Sequence, residues 1–201
     1  MNLKQEYTKH KPEIEAGLQE FSQLSDKEHI KELFFCILTP QSNAEKCWQA
    51  VKELEKCELT SQNAEKIKTC LKTRTRFHNN KARYIVEASK NWREIEKLIS
   101  TNNNPKQVRE LLVKNINGLG MKEASHFLRN IGKSNNELAI LDRHVLRQLK
   151  KLNIVEDDMI KNNKDYLKKE EKMKKFSRQV SIPLDALDLL FWKLESGRIF
   201  K

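Results

Sequence analysis

Lys122 is the residue whose type and position could supply a nucleophile. It follows the turn Gly118-Leu119-Gly120 by two positions. A lysine amine can attack an electrophilic carbon and form a Schiff base, but the free side chain, with a pKa of about 10.4, is nearly all ammonium at pH 7. We expect Lys122 near the start of a helix, where the helix dipole and partial burial favour the neutral amine. An exposed surface lysine is the alternative reading in so basic a chain.

Asp142 is the carboxylate that could act with this amine. It stands twenty residues after Lys122 and directly follows the apolar run Leu138-Ala139-Ile140-Leu141. As the cap of the next helix it would stay ionised, because backbone amides hold its charge. An ionised carboxylate could stabilise positive charge that develops in a reaction and assist proton transfer to and from Lys122. A helix cap with no further role is the alternative.

The turn before Lys122 is flanked by two amphipathic stretches. Gly118 and Gly120, at alternate positions, allow backbone dihedrals that other residues avoid and let a ligand approach closely. We expect the amides of the turn and of the following helix to point outward and bind a phosphate without reading sequence. A plain αα-hairpin with a glycine cap is the alternative.

Helical periodicity runs through the whole chain, whereas alternating β-branched runs are nearly absent, which predicts an all-α protein. Two capping boxes are predicted, Ser25-Asp26-Lys27-Glu28 and Ser42-Asn43-Ala44-Glu45, and the helix after the first should be buried and central. Pro105 and Pro183 are predicted to begin helices, and Gly197 to end the last one. The lysine-rich run 168–175 is predicted to be a solvated helix face.

Composition narrows the class of protein. The 201 residues carry a formal net charge of +11, which favours a polyanionic partner because Lys and Arg release counterions from phosphates. No apolar run reaches membrane-spanning length and the first residues do not form a secretory signal, so we expect a protein of the cytoplasm or nucleoid. The cysteines, Cys36, Cys47, Cys57 and Cys70, include no Cys-x-x-Cys pair, so neither disulfides nor a structural metal is expected.

The hairpin and the aspartate together carry a resemblance to a known superfamily. Gly118-Leu119-Gly120-Met121-Lys122-Glu123-Ala124 resembles the helix-hairpin-helix of the DNA glycosylases that include endonuclease III, and Ile140-Leu141-Asp142-Arg143-His144-Val145 resembles their aspartate segment. Leu38-Thr39-Pro40-Gln41-Ser42 is similar to the glutamine loop of that superfamily. Phe77-His78-Asn79-Asn80-Lys81-Ala82 and the end of the chain, from Leu187 to Lys201, resemble the second, largely archaeal family of 8-oxoguanine DNA glycosylases.

The resemblance implies a fold and a reaction. The fold is all-α, with two helical subdomains flanking a cleft in a single unit over 1–201 and the hairpin at 106–131. The implied reaction is excision of 8-oxoguanine from double-stranded DNA, with Lys122 as nucleophile, Asp142 as essential carboxylate and β-elimination of the strand. No cysteine follows Cys70, so the iron–sulfur cluster of endonuclease III cannot occupy its usual place. No cofactor, no metal site and a monomer are therefore expected.

Further site residues are implied by the same resemblance. Phe77 and Trp192 are candidate stacking faces for an extruded base, and Asp188 and the terminal carboxylate of Lys201 are candidate acceptors for the edge of guanine. The residues expected to contact DNA are Gln41, which would fill the space that the base leaves, Lys81, Gly118 and Gly120. The carbonyls of Lys114, Ile116 and Leu119 are candidate ligands of a monovalent cation that bridges to phosphate. As residue types alone, the aromatics could equally be core and Asp188 a first-turn helix acid.

Two other functions remain open. A non-catalytic helix-hairpin-helix DNA-binding module shares the basic charge and the glycine turn, but does not need Lys122 and Asp142 together. A glycosylase for another oxidised base, such as a pyrimidine, keeps both residues and changes the pocket. Only the resemblance at Phe77, Trp192 and Lys201 favours oxidised guanine over that second alternative.

Overall fold

The computed structural model describes residues 2–56 and 63–201, and this part of the chain is helical without a strand, as the periodicity predicts. Its eleven helices are α1 (Leu3–Ser22), α2 (Asp26–Leu38), α3 (Ala44–Lys56), α4 (Ala64–Leu71), α5 (His78–Lys90), α6 (Trp92–Thr101), α7 (Pro105–Asn115), α8 (Met121–Asn130), α9 (Arg143–Lys151), α10 (Asn163–Val180) and α11 (Leu184–Ser196). None of the described helices is long and apolar enough to cross a membrane. Cys36, Cys47 and Cys70 are free thiols, while Cys57 lies outside the described residues.

Backbone contacts divide the chain into two compact units. The resemblance likewise implies two helical subdomains. The first, here called the hairpin unit, is the segment 24–127. Its core is built around α2, whose residues 32–38 are all buried and which packs against α3 and α5. The prediction of a buried central helix is thereby confirmed. The hydrophobic effect accounts for this position, because Leu33, Phe35 and Ile37 are at most 1% exposed.

The second unit, here called the terminal unit, joins residues 1–23 to 128–201. Its central element is α11, buried along residues 184–191 and packed against α1, α9 and α10. Gly132 allows a close approach of α1, since a Cβ at this position would lie 2.8 Å from the Cα of Ser22. Gly132 also has a φ of +66°, so a side chain there would meet both a steric and a conformational penalty.

Most helix boundaries follow the local signals. The capping box at Ser25 is confirmed, because the Glu28 carboxylate accepts from the Ser25 amide at 2.9 Å. Pro105 occupies the first turn of α7 behind the cap Asn104, and Gly197, with φ +78°, ends α11. Pro183 precedes α11 by one residue, as its N-cap.

The second predicted capping box is wrong. The cap of α3 is Asn43, whose side-chain oxygen accepts from the Lys46 amide at 3.0 Å. The Ser42 hydroxyl instead bonds to Thr75 and accepts from the Arg76 amide. Long-range bonds therefore override the local pattern at this serine.

The lysine-rich run 168–175 is not a uniformly solvated face. Lys168 and Lys175 are exposed, but Lys169 is 5% exposed and forms ion pairs with Asp157 and Asp165. Lys174 is buried as well and pairs with Glu137 at 2.6 Å. Asp165 of the same helix, together with Asp157 and Glu137 from outside it, thus compensates the charges that the helix buries. Sequence spacing could reveal only the Asp165 pair, which has i,i+4 spacing.

Candidate active site

The predicted hairpin is formed by α7 and α8 with a short turn between them. Gly118 adopts φ +88°, and a Cβ at this residue would lie 2.5 Å from Cδ2 of Tyr84. Both the dihedral and the packing therefore require glycine here. Inside the unit the two helices are joined by a buried hydrogen bond, in which Nη1 of Arg109 donates to Oγ of Ser125 at 3.1 Å.

The amides of the turn are less available for a phosphate than the sequence indicates. The Leu119 amide donates to the carbonyl of Ile116 at 3.3 Å, and the Gly120 amide donates to Oε2 of Glu123 at 3.2 Å. These two N–H groups have partners within the protein, which corrects the expectation that all the turn amides point outward. Phosphate binding at Gly118 and Gly120, and cation binding by the carbonyls of Lys114, Ile116 and Leu119, stay predictions.

Lys122 is the second residue of α8, in the position expected for the nucleophile. Its side chain is 26% exposed, so it is neither a free surface lysine nor a buried one. The ammonium lies 2.9 Å from Oε1 of Glu123, and the other oxygen of Glu123 accepts from Gly120. Attack requires the amine to give up its proton and leave this ion pair.

Glu123 is a site residue that motif reasoning missed. Its carboxylate joins the start of α8 to the lysine beside it, because one oxygen holds the Gly120 amide and the other the Lys122 ammonium. The signal was present in the sequence, since a glutamate three residues after the N-cap is the reciprocal half of a capping box. Reading the turn only for its glycines hid that signal.

Asp142 is the N-cap of α9, as predicted, and both of its oxygens accept a hydrogen bond. Oδ1 accepts from the amide of Val145 at 2.8 Å. Oδ2 accepts from Nε1 of Trp192 at 3.0 Å. Two donors therefore fix the plane of the carboxylate.

Trp192 is therefore more than an aromatic face. It is half-buried on α11, and its indole N–H is committed to Asp142. Its ring centroid lies 5.1 Å from that of His144, at an interplanar angle of 53°. The N–H at the edge of the ring orients the Asp142 carboxylate. Stacking on a base, the role predicted for Trp192, would use the faces of the ring.

Asp188 lies inside the terminal unit and not at its surface. The residue is 2% exposed, and its Oδ2 lies 3.2 Å from Nη2 of Arg129. It is the fifth residue of α11, whose first-turn acid is Asp185, so the reading of Asp188 as a first-turn acid is wrong. Direct contact of Asp188 with a base stays a prediction.

The end of the chain lies near Phe21, whose ring also contacts the Arg129 guanidinium. Arg129 stacks over the ring of Phe21, with 4.9 Å between its Cζ and the ring centroid. The Nζ of Lys201 lies 5.9 Å from that centroid. The structure thus brings Asp188, Arg129 and Lys201 into one cluster around Phe21, while the role of the terminal carboxylate stays a prediction.

Two candidate DNA contacts lie on loops of the hairpin unit. Gln41 is exposed with φ +55°, and Phe77 is 54% exposed with φ +57°. Phe77 is therefore not a core aromatic. The guanidinium of Arg76 lies over its ring, 5.5 Å from the centroid.

Lys81, a predicted DNA contact, is buried among protein acceptors instead of presented at the surface. It is 4% exposed, and its ammonium donates to the carbonyls of Leu38 and Pro40, both at 2.8 Å. Burial, and to a smaller extent the nearby charges of Lys122 and Arg76, lower the pKa of Lys81 to about 8. The ammonium of Lys81 thus joins protein loops, while its contact with a phosphate stays a prediction.

The two units divide the candidate residues between them. The hairpin unit holds Gln41, Phe77, Lys81, the glycine turn and Lys122, whereas the terminal unit holds Asp142, Asp188, Trp192 and Lys201. No group of three or more His, Cys, Asp or Glu side chains in 2–56 and 63–201 is placed to hold a metal ion.

Comparison with known proteins points to one family. Residues 14–182 match the family model described as 8-oxoguanine DNA glycosylase. The 8-oxoguanine DNA glycosylase/AP lyase of Fusobacterium nucleatum is 42% identical over 207 residues, which cover 97% of this chain and 94% of that protein. Its counterpart from Methanocaldococcus jannaschii is 37% identical over 193 residues, covering 94% of this chain and 91% of that protein.

Solved structures give the same result in three dimensions. The crystal structure of the 8-oxoguanine DNA glycosylase of Thermotoga maritima superposes with a TM-score of 0.89 at 34% identity, covering 99% of this chain and 96% of that one. The Methanocaldococcus jannaschii glycosylase/lyase in complex with a 15mer DNA containing 8-oxoguanine gives a TM-score of 0.89 at 35% identity, with 100% of both chains covered.

Proposed function

Since the chain belongs to the 8-oxoguanine DNA glycosylase family, we propose that it excises 8-oxoguanine from double-stranded DNA and cleaves the strand at the abasic site. The observation that carries the proposal is that Lys122 and Asp142 occur in one chain, each at the start of a helix. A half-exposed lysine stands at the start of the second hairpin helix, and an aspartate held by two donors caps α9. We place this activity in the cytoplasm, on the nucleoid.

The first step begins once the damaged nucleotide has left the stack, because its C1′ is not accessible within the duplex. Lys122, as the neutral amine, forms a bond to C1′ while the bond from C1′ to N9 of the base breaks. The electron pair of that bond leaves with the base, which takes up a proton. Loss of a proton from the attached nitrogen and opening of the sugar ring then give the Schiff base.

The second step breaks the strand. The Schiff base acidifies the hydrogen on C2′, and removal of that hydrogen drives β-elimination of the 3′ phosphate. Water then hydrolyses the Schiff base and returns Lys122 as a free amine. No metal or cofactor is required at either step, because the amine is the nucleophile of the first step and the protonated Schiff base is the electron sink of the second.

Asp142 acts on the charge that develops in this sequence. Departure of the base leaves positive charge on the sugar, and a carboxylate whose position is already fixed stabilises it without reorganisation. The hydrogen bonds from Val145 and Trp192 supply that fixed position. Trp192 is therefore assigned two roles, orienting Asp142 through its N–H and stacking on the base through its ring.

Recognition of the base and of the strand is assigned to the remaining candidates. We assign Phe77 as the second stacking face, because its side chain is exposed at the surface of the hairpin unit. Asp188 and the terminal carboxylate of Lys201 are assigned to the guanine edge, and Gln41 to the space left in the duplex. Carbonyls of the hairpin turn, at Lys114, Ile116 and Leu119, are assigned to a monovalent cation beside a backbone phosphate.

The experiment is a comparison of single-lesion duplexes under single-turnover conditions at fixed salt. Duplexes carrying 8-oxoguanine, an oxidised pyrimidine, a pre-formed abasic site or no damage are assayed separately for base release and strand cleavage. We expect base release from 8-oxoguanine only, and strand cleavage at both 8-oxoguanine and the abasic site. Binding without either reaction would instead support a DNA-binding module. Preferential release of the oxidised pyrimidine would show that this base, and not 8-oxoguanine, is the substrate.

A further inference from the structure

A buried network centred on Lys81 joins two loops of the hairpin unit. Lys81 lies in the first turn of α5, and its ammonium donates to the carbonyls of Leu38 and Pro40 on one loop, both at 2.8 Å. On the other loop it donates to Oγ1 of Thr75, also at 2.8 Å. The hydroxyl of Ser42, 3.1 Å away, completes a set of four acceptors around one cation.

The same two loops are also bonded to each other around this cation. The hydroxyls of Ser42 and Thr75 lie 2.8 Å apart, and the amide of Arg76 donates to Ser42 at 2.9 Å. The Thr75 hydroxyl also donates to the carbonyl of Leu38 at 3.0 Å. The positive charge is well placed, because the carbonyls at the end of α2 form the negative end of the helix dipole.

Each loop presents one exposed residue in a left-handed backbone conformation. Gln41 stands between Pro40 and Ser42 with φ +55°, and Phe77 stands two residues after Thr75 with φ +57°. Neither is a glycine, so each conformation is strained and persists only where its surroundings impose it. The bonds to Lys81 lie immediately beside both residues and supply that constraint.

We propose that Lys81 is a positioning residue that sets Gln41 and Phe77 in one fixed relation, so that filling of the duplex gap and stacking of the extruded base occur together. This role rests on the proposed function, in which Gln41 and Phe77 contact DNA. The ammonium touches neither DNA nor the reacting atoms. Its effect reaches the reaction only through the two loops, and loss of the ammonium leaves both residues without a common anchor.

A double-mutant cycle tests the coupling. Lys81→Met keeps the length of the side chain and removes its donors, and we expect it to slow single-turnover excision of 8-oxoguanine about tenfold to a hundredfold, the cost of a displacement of about 1 Å in a reacting assembly. In a background of Gln41→Ala with Phe77→Ala, the same change should slow excision less than about threefold, because its two targets are absent. Equal factors in both backgrounds would overturn the proposal.

A milder variant and a matched control cover loss of folding. Ser42→Ala removes one member of the network, and it should show the same dependence on background if Lys81→Met proves too unstable to assay. Lys169→Met is the control, since Lys169 is as deeply buried but lies in the terminal unit, and its effect should be the same in both backgrounds. Background dependence at Lys169 would also overturn the proposal.

Outcomes for the two hypotheses are distinguishable. A wild-type enzyme that excises no base would overturn the proposed function, and the role of Lys81 with it. An active wild type whose variants combine multiplicatively would overturn the role of Lys81 alone. Fluorescence of 2-aminopurine placed beside the lesion adds a direct readout of extrusion, which Lys81→Met should diminish and Lys169→Met should not.

Discussion

Replacing Trp192 by phenylalanine separates the two roles assigned to this residue. The variant keeps an aromatic ring for stacking but loses the N–H that donates to Oδ2 of Asp142 at 3.0 Å. A hydrogen bond to a charged group contributes about 1.5–3 kcal/mol, and each 1.36 kcal/mol changes a rate tenfold. We therefore expect Trp192→Phe to slow the chemical steps by about tenfold to 150-fold, while Asp142 keeps the bond from Val145.

Single-turnover kinetics on two substrates provide the assay. Excision of 8-oxoguanine and cleavage of a pre-formed abasic site should both slow, because in both reactions the Asp142 carboxylate is expected to assist proton transfer to and from Lys122. The affinity for a duplex with an uncleavable abasic analogue should change less than about twofold, since phosphate contacts dominate binding. Trp48→Phe is a matched control, as Trp48 is a half-buried tryptophan of the hairpin unit, and it should leave both rates unchanged.

The abasic substrate distinguishes an orienting role of the Trp192 N–H from a role in stacking alone. If Trp192 acted only by stacking on the base, its replacement by phenylalanine would leave cleavage of the abasic site at the wild-type rate. That result would refute the orienting role of the N–H. Loss of affinity in step with the rates would show instead that Trp192 supports the fold of the terminal unit.

Three further changes have defined outcomes. Asp142→Asn should keep its affinity for the abasic analogue and slow excision about a hundredfold or more, since it loses the charge assigned to the transition state; parallel loss of affinity would make Asp142 mainly structural. A tag added after Lys201 should slow excision of 8-oxoguanine about tenfold or more while abasic cleavage survives, because only the former needs a base contact; equal rates for tagged and untagged enzyme would remove the terminus from the site. Arg129→Met should lower the free energy of unfolding by about 3–5 kcal/mol, measured by urea denaturation, because it removes one partner of a buried ion pair, and a change below about 1 kcal/mol would contradict this.

Local signals predicted the parts of the site that local bonds determine. Asp142 caps α9 through an amide three residues away, and Lys122 stands at a helix start fixed by the glycine turn. Such features depend on a few neighbouring residues, and sequence spacing contains all the information they need. The all-α class and the buried α2 follow in the same way from apolar periodicity.

Long-range bonds account for what the sequence did not predict. The partner of Asp142 on its second oxygen, Trp192, stands fifty residues further along the chain. Ser42 matched a capping pattern, but the Thr75 hydroxyl, the Arg76 amide and the Lys81 ammonium, all more than thirty residues away, hold it instead. Choosing between a local and a distant partner requires the tertiary arrangement, which spacing does not encode.

The most direct test of the account is borohydride trapping of the covalent intermediate. Reduction of the Schiff base should link wild-type enzyme to an 8-oxoguanine duplex, and mass spectrometry of the digested adduct should place the modification on Lys122. Lys122→Gln should form no adduct, whereas the control Lys133→Gln, an exposed lysine of the terminal unit, should trap as wild type does. Undiminished trapping by Lys122→Gln, or an adduct mapped to another lysine, would contradict the central claim.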